Sequence, residues 1–401
     1  MKKLLALVIV FTITLVLSAC GGPKELQMLW WNDGEEGVAM QALLDRYEEE
    51  TGVIIELVVL PYGDYESRLR TMINGGEAPA LARVTEGHLN NFKEFTLSLD
   101  GVYDQSGFTN HFYNDDDESI SLPLDITANG LFVNLDILDA NNINYPELGD
   151  PVWTWTEFIT EMNKLKGVDG VTAPGLFDHQ AHRFMPLMYQ HGTTLWNQPY
   201  TSSKLTSSQA VSALTLLETL YTDGIIEGFS TVQSANAAQL FRTGNYGFHM
   251  SGNWNVSGYQ DLDFNWTVIP MPKEANRATI LGGKSMTAFK DSGMEQEALD
   301  FIEWLASPAQ HDEFTGAVPY LTPRLGATVD YGVFSDEYAV FLDEIAATDE
   351  QYVQDWLTQV MIPGMYPIIN KLVEDVANPA RTKTILELLQ DLEVELKGIM
   401  N

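Results

Sequence analysis

Four places in the chain set an aromatic ring beside amides, acids or a guanidinium. They are Trp30-Trp31-Asn32-Asp33, Trp196-Asn197, Gly252-Asn253-Trp254-Asn255, and Tyr320 close to Arg324. Flat rings cover the apolar C–H faces of a polyhydroxylated ligand, while carboxylate, amide and guanidinium groups meet its rim of hydroxyls. Any one of these tryptophans is equally well accounted for by core packing, since tryptophan is heavily buried on average. In an extended strand Trp30 and Trp31 point to opposite faces, so at most one of them enters a cleft.

Other motifs carry less. Ala278-Thr279-Ile280-Leu281-Gly282-Gly283-Lys284-Ser285 has the letters of a loose phosphate-binding loop. Its middle residues are bulky, however, and an extended stretch follows instead of the helix that such a loop opens. His179 and His182 stand three apart, as ligands on one helix face can, but no cysteine or second histidine motif supports a metal. The run Asp115-Asp116-Asp117-Glu118 lacks the alternation and glycine of a calcium loop and reads as a solvated tip. No Gly-x-Ser-x-Gly and no cysteine nucleophile occurs, and no pair of carboxylates is singled out for glycosidic hydrolysis. The expectation is a binding protein with no catalytic residue, no metal and no cofactor.

The ends and the composition set the compartment. Lys2 and Lys3 precede an apolar run over residues 4–17, shorter than the ~20 residues of a spanning helix, which ends in small residues. This is a signal peptide over residues 1–19. Leu17-Ser18-Ala19-Cys20 resembles the lipobox of bacterial lipoproteins, which implies a diacylated Cys20 and a tether over residues 20–25. Cys20 is the only cysteine of the 401 residues, so no disulfide framework exists and lipidation explains the lone thiol. The formal net charge is −34, and loss of residues 1–19, with two lysines and no acid, deepens it. Such an excess disfavours nucleic acid and anionic membrane surfaces as partners. At this length two domains are expected.

The elements that must position these residues alternate. Apolar Leu26, Met28 and Leu29 predict a strand running into Trp30. Met40, Leu43, Leu44 and Tyr47 mark a helix stopped by Gly52, and residues 53–60 form a continuous apolar run predicted to be a strand covered on both faces. A second helix carries Tyr65, Leu69, Met72 and Ile73, and residues 80–84 make the next strand. The alternation predicts a parallel α/β sheet. It returns with a capping box at Thr154-Trp155-Thr156-Glu157, a helical stripe from Ala210 to Tyr221, strands at 246–250 and 266–269, a second capping box at Ser292-Gly293-Met294-Glu295, and a largely helical C-terminal third.

Five ordered stretches then carry a family resemblance. They are Leu122-Pro123-Leu124-Asp125 with Leu131-Phe132-Val133-Asn134-Leu135-Asp136; Thr154-Trp155-Thr156-Glu157-Phe158; Leu220-Tyr221-Thr222-Asp223-Gly224; Phe241-Arg242-Thr243-Gly244-Asn245-Tyr246-Gly247-Phe248 with Gly252-Asn253-Trp254; and Pro270-Met271-Pro272-Lys273 through Gly282-Gly283 to Phe301-Ile302-Glu303-Trp304-Leu305-Ala306-Ser307-Pro308. With the lipobox they span nearly the whole chain, and together they resemble the sugar-type extracellular solute-binding proteins of ABC importers, the group that includes maltose-binding protein.

The resemblance implies a two-lobe α/β periplasmic-binding-protein-like fold of type II, with three hinge crossings and a ligand cleft between the lobes. It implies lobe 1 over 26–126 plus 284–325 and lobe 2 over 127–283 plus 326–401. The crossings are expected near 125–131, 281–285 and 322–326. Ligand contacts are expected at Trp31, Asn32, Asp33, Tyr62, Glu86, Asp125, Trp196, Trp254, Gly283, Arg324 and Trp356. The implied partners are a carbohydrate, an oligosaccharide by the same resemblance, and the permease subunits of an ABC transporter, with the membrane reached through Cys20 and the protein itself a monomer.

Overall fold

The computed structural model describes residues 26–32, 36–197, 202–228, 236–318, 320–360, 362 and 364–400. Cys20 and Asp33 lie outside the described residues. Among the described residues nine strands form two sheets: β1 (Leu26–Trp30), β2 (Ile55–Val59), β3 (Leu81–Thr85), β4 (Leu122–Pro123), β5 (Asn129–Asn134), β6 (Ala173–Phe177), β7 (Tyr246–Gly252), β8 (Trp266–Ile269) and β9 (Lys284–Ala288). The first sheet has the order β2-β1-β3-β9-β4 and the second β6-β7-β5-β8. The chain therefore leaves the first sheet after β4, builds the second, and returns with β9.

The predicted parallel sheet is only partly realised. β1 pairs in parallel with β2 and β3, but β9 runs antiparallel between β3 and β4. In the second sheet only β6 and β7 are parallel, while β5 is antiparallel to both β7 and β8. The apolar run at 53–60 is a strand, but an edge strand: Val59 is exposed on the rim instead of covered on both faces. Strand hydropathy reports burial only when neighbours exist on both sides, and β2 has one.

Alternation within β1 divides its side chains between two layers. Leu26, Met28 and Trp30 pack on Met40, Leu43, Tyr47, Phe301 and Leu305, whereas Leu29 and Trp31 pack on Tyr65, Leu69 and Phe92. The second sheet is likewise covered on both faces. Leu131, Phe177 and Met250 meet one set of helices, and Phe132, Leu176 and Val268 meet Phe241, Tyr259 and Phe341. The Thr154 capping box opens the helix Trp155–Met162 as expected. The one expected at Ser292 does not form. The helix Glu295–Ala306 starts without a side-chain cap, because Glu295 turns back to the Gly293 N–H. Among the described residues no helix is long and apolar enough to cross a membrane.

The crossings between the sheets lie side by side. Thr127 and Gly282 exchange backbone hydrogen bonds of 2.9 and 3.1 Å, and the Ile126 N–H donates to the Leu321 carbonyl at 2.8 Å. A Cβ on Gly283 would sit 2.2 Å from the Asp125 carbonyl oxygen, so this approach of two backbones requires glycine. The segment with phosphate-loop letters is this second crossing, and it runs into β9, not into a helix. The third crossing makes its contact at Leu321, just before the expected 322–326, where Pro323 and Arg324 pair instead with Thr109 and Phe108.

Candidate functional site

A cleft of about 580 Å³ opens where the ends of the strands in both sheets face each other. Trp31 follows β1, Glu86 follows β3, and the register that pairs Thr85 with Lys284 brings the start of antiparallel β9 to the same edge. From the second sheet, His182 and Arg183 follow β6 and Trp254 follows β7. Open α/β sheets place ligands beyond the carboxyl ends of their strands, and this cleft obeys that rule.

On the first-sheet side Trp31 is fully packed, yet one surface forms cleft wall. The Arg83 guanidinium lies 4.5 Å from its ring centroid, donates to the Trp31 carbonyl, and pairs with buried Glu36 at 2.9 Å. Tyr62 stands at the rim, 58 % exposed, with its ring 5.4 Å from that of Trp31. Thr85 caps the helix Glu86–Phe92, accepting the His88 N–H while the His88 ring accepts the Thr85 N–H. Histidine therefore fills the role usually read from glutamate or glutamine, which is why the sequence concealed this cap. Burial holds His88 neutral, with its pKa lowered to about 4.

Glu86 stands on the first turn of that helix and lines the cleft. Its Oε1 accepts the Gly283 N–H at 2.9 Å. Removal from bulk water raises its pKa to about 7, against hydrogen bonds from its own amide and from Gly283 and the charge of Lys284, while Asp125 pushes it up further. At neutral pH this carboxyl is poised between donor and acceptor.

The second-sheet side is built round Trp254. The Arg183 guanidinium lies 4.5 Å from its ring centroid, the Lys284 ammonium 5.9 Å, and the His182 ring meets its edge at 5.7 Å. Arg183 is buried and donates to Asn129, Asp178 and Ser251. Burial alone would raise the pKa of Asp178, but a hydrogen bond from His249 and the charge of Arg183 outweigh it and hold the carboxyl well below the usual range. Burial, reinforced by Arg183, keeps His182 neutral as it stacks on Tyr366. Gly252 makes room for the indole: a Cβ there would lie 1.9 Å from a ring carbon of Trp254. Its value is space, not an unusual turn. Asn253 and Asn255 are committed within the protein, Asn253 to the backbone of Ile126 and Ala128 and Asn255 to Ser251.

Of the residues expected from the sequence, Trp31, Tyr62, Glu86, Trp254, Gly283 and Trp356 line this cleft. Four others lie elsewhere. Asn32 is exposed and packs its amide against Gly37. Asp125 is buried beneath the floor, where it accepts the Lys284 N–H at 3.1 Å and neutralises the Lys284 ammonium at 3.6 Å. Trp196 belongs to the core of the second sheet, and Arg324 forms a forked pair with Asp312. Asparagine beside tryptophan and arginine near tyrosine are patterns that packing and surface ion pairing also produce. Sequence reasoning missed Lys284, Arg183, Gln180, Asn91 and Tyr366, all of which line the cleft. The end of β6 was the available signal for Gln180 and Arg183. Tyr366 arrives on a distant helix and carried none. Among the described residues no group of three histidines, cysteines or carboxylates is placed to hold a metal ion.

The sequence pattern described as bacterial extracellular solute-binding protein matches residues 42–339. The chain belongs to this family. No curated protein matches it by sequence. Known structures share the fold of this solute-binding protein. An ABC substrate-binding protein from Listeria monocytogenes, in complex with cycloalternan, aligns with a TM-score of 0.80 at 18 % identity, over 94 % of this chain and 98 % of that one. UgpB from Mycobacterium tuberculosis, in complex with glycerophosphocholine, gives 0.77 at 18 % over 94 % and 99 %. Maltose-bound MalE3 of T. maritima gives 0.76 at 16 % over 94 % and 99 %. At such identities the likeness is one of fold: a two-sheet, type II periplasmic-binding-protein architecture.

Proposed function

We propose that this solute-binding protein captures an oligosaccharide outside the membrane, held there through a lipid on Cys20, and delivers it to the permease of an ABC transporter. The observation that carries this reading is the cleft itself, walled by an indole from each sheet and floored by carboxyl, ammonium and amide groups. Rings for C–H faces and fixed polar groups for hydroxyls are the chemistry of sugar capture. Fold relatives bound to cycloalternan and to maltose agree with it. The ligand contacts are Trp31, Tyr62, Glu86, Trp254, Gly283 and Trp356, joined by Arg183 and Lys284.

The way the described carboxylates are engaged supports binding without turnover. Hydrolysis of a glycosidic bond uses two acids flanking it. Here Asp125 and Asp178 answer Lys284 and Arg183, and Glu66 is tied to Arg70 and Asn91. Among the described carboxyl groups that line the cleft, Glu86 alone has no ion-pair partner. Delivery proceeds by closure of lobe 1 (26–126 plus 284–325) on lobe 2 (127–283 plus 326–401) about the three crossings.

Thermal-shift screening of the protein lacking residues 1–25 against mono- and oligosaccharides tests the reading. An oligosaccharide should raise the melting temperature and be recovered intact. Stabilisation by none, or recovery of cleaved sugar, overturns it. Small-angle scattering should show a smaller radius of gyration with that ligand, and Cys20→Ser should release the full chain from the membrane fraction.

A further inference from the structure

Among the described residues, the charges around the cleft floor do not balance. Arg183 and Lys284 supply two cations, whereas Asp178, Asp125 and Glu86 supply three carboxyl groups. The first two acids sit against the two cations, at 3.1 Å for Asp178 and Arg183 and 3.6 Å for Asp125 and Lys284. Glu86 is the surplus group, and it is the one that lines the cleft. A buried charge without its own counterion is costly, and the inexpensive remedy is a proton.

We propose that Glu86 enters the ligand complex as a neutral carboxylic acid, with Oε1 held by the Gly283 N–H and the proton on Oε2 donated to a ligand oxygen. The ligand side of this proposal rests on the oligosaccharide reading above; the protonation of Glu86 does not. Geometry supports it from two directions. Gly283 fixes one oxygen, so the acid has a defined orientation and a defined face for its proton. Gly282 leaves the space this requires, since a Cβ there would lie 2.4 Å from Oε1. The rise of the Glu86 pKa to about 7, caused first by burial, agrees with the charge count.

The remaining groups facing Glu86 leave it as the titrating one near neutrality. His88 on its own helix and His182 across the cleft are held neutral by burial. Burial pushes the Tyr366 phenol far up, so it stays uncharged. Glu66 from the neighbouring helix is paired with Arg70 at 2.7 Å. Ligand closing over Glu86 removes more water and adds an acceptor for its proton, and both changes favour the acid further. Binding above neutral pH must therefore take up a proton.

Two measurements on the protein lacking residues 1–25 decide this. Infrared difference titration of the ligand-free protein should show a protonated carboxyl that ionises near pH 7 and is missing in Glu86→Gln. An ordinary carboxylate midpoint for Glu86 overturns the proposal, whether or not any sugar binds. Calorimetry with maltose and with cycloalternan, in two buffers of different ionisation enthalpy, supplies the ligand arm. The dissociation constant should rise about ten- to thirtyfold between pH 6 and 8.5, with about one proton taken up per site at the upper end. Glu86→Gln, whose amide donates at every pH, should bind comparably at pH 6 and lose the dependence. Binding that is flat with pH in the native protein overturns the donor role. Failure of both sugars to bind counts against the oligosaccharide reading, and the infrared titration then still decides the state of Glu86.

Discussion

Trp31 and Trp254 present indoles to the cleft from opposite sheets, and behind each lies a buried arginine 4.5 Å from the ring. Each arginine pairs with a carboxylate, Arg83 with Glu36 and Arg183 with Asp178. The supports then diverge. Arg83 lies against both Trp30 and Trp31 and bonds the Trp31 carbonyl, so ring and backbone are fixed by the buried Arg83–Glu36 pair. Arg183 is spread over Asn129, Asp178 and Ser251, and Asp178 keeps His249 as a further partner and is about one quarter exposed. Trp254 also packs on the core of the first sheet although its own strand belongs to the second. One indole is part of a single lobe's core. The other spans both, and is the better placed to respond to ligand.

The largest expected effect separates the two arginines. Arg83→Met strands Glu36 in the core and should lower unfolding free energy by about 3–5 kcal/mol in urea melts, with Glu36→Leu added to it restoring much of the loss. Arg183→Met should lower it by only about 1–3 kcal/mol, because Asp178 retains His249 and some water. Equal losses would break the comparison. The tryptophans should divide in the same way. Trp31→Ala should cost about 3–5 kcal/mol of stability as a core truncation. Trp254→Ala should instead weaken sugar binding by roughly 1–3 kcal/mol, ten- to a hundredfold by calorimetry, with a smaller change in unliganded melting.

Glu86 sharpens the contrast between pinned and unpinned charge. Its folded pKa, about 7, lies above the ordinary 4.5, so the stability it contributes is full below pH 4.5 and is lost as pH rises through 7. Glu86→Gln should therefore match the native protein near pH 5 and exceed it at pH 8 by about 1–3 kcal/mol in unliganded melts. The smallest effect is expected at the rim. Tyr62→Ala removes an exposed ring and should change stability by less than about 0.5 kcal/mol, while weakening sugar binding severalfold.

The sequence by itself determined the elements and their local ends. The spacing of Met40, Leu43, Leu44 and Tyr47 dictates the buried face of the helix Glu36–Thr51, and Gly52, at a φ of +76°, stops it. Alternation at Trp30 and Trp31 required that at most one of them meet the cleft, because side-chain direction in a strand is a local property, and Trp31 is the one that lines it. Ordered family stretches made the two-lobe fold legible as well. Pairing was not local. That β2 lies at an edge, and that β9 returns antiparallel to bring Lys284 beside Glu86, depends on which distant strands meet. The same holds for the site. Asp125 and Glu86 are both acids near a strand end, and nothing in their neighbours along the chain ranks one above the other. Only the packed structure gives Asp125 to Lys284 and leaves Glu86 to the cleft, because pairing of charges is settled by distance in space and by how much water each group has lost.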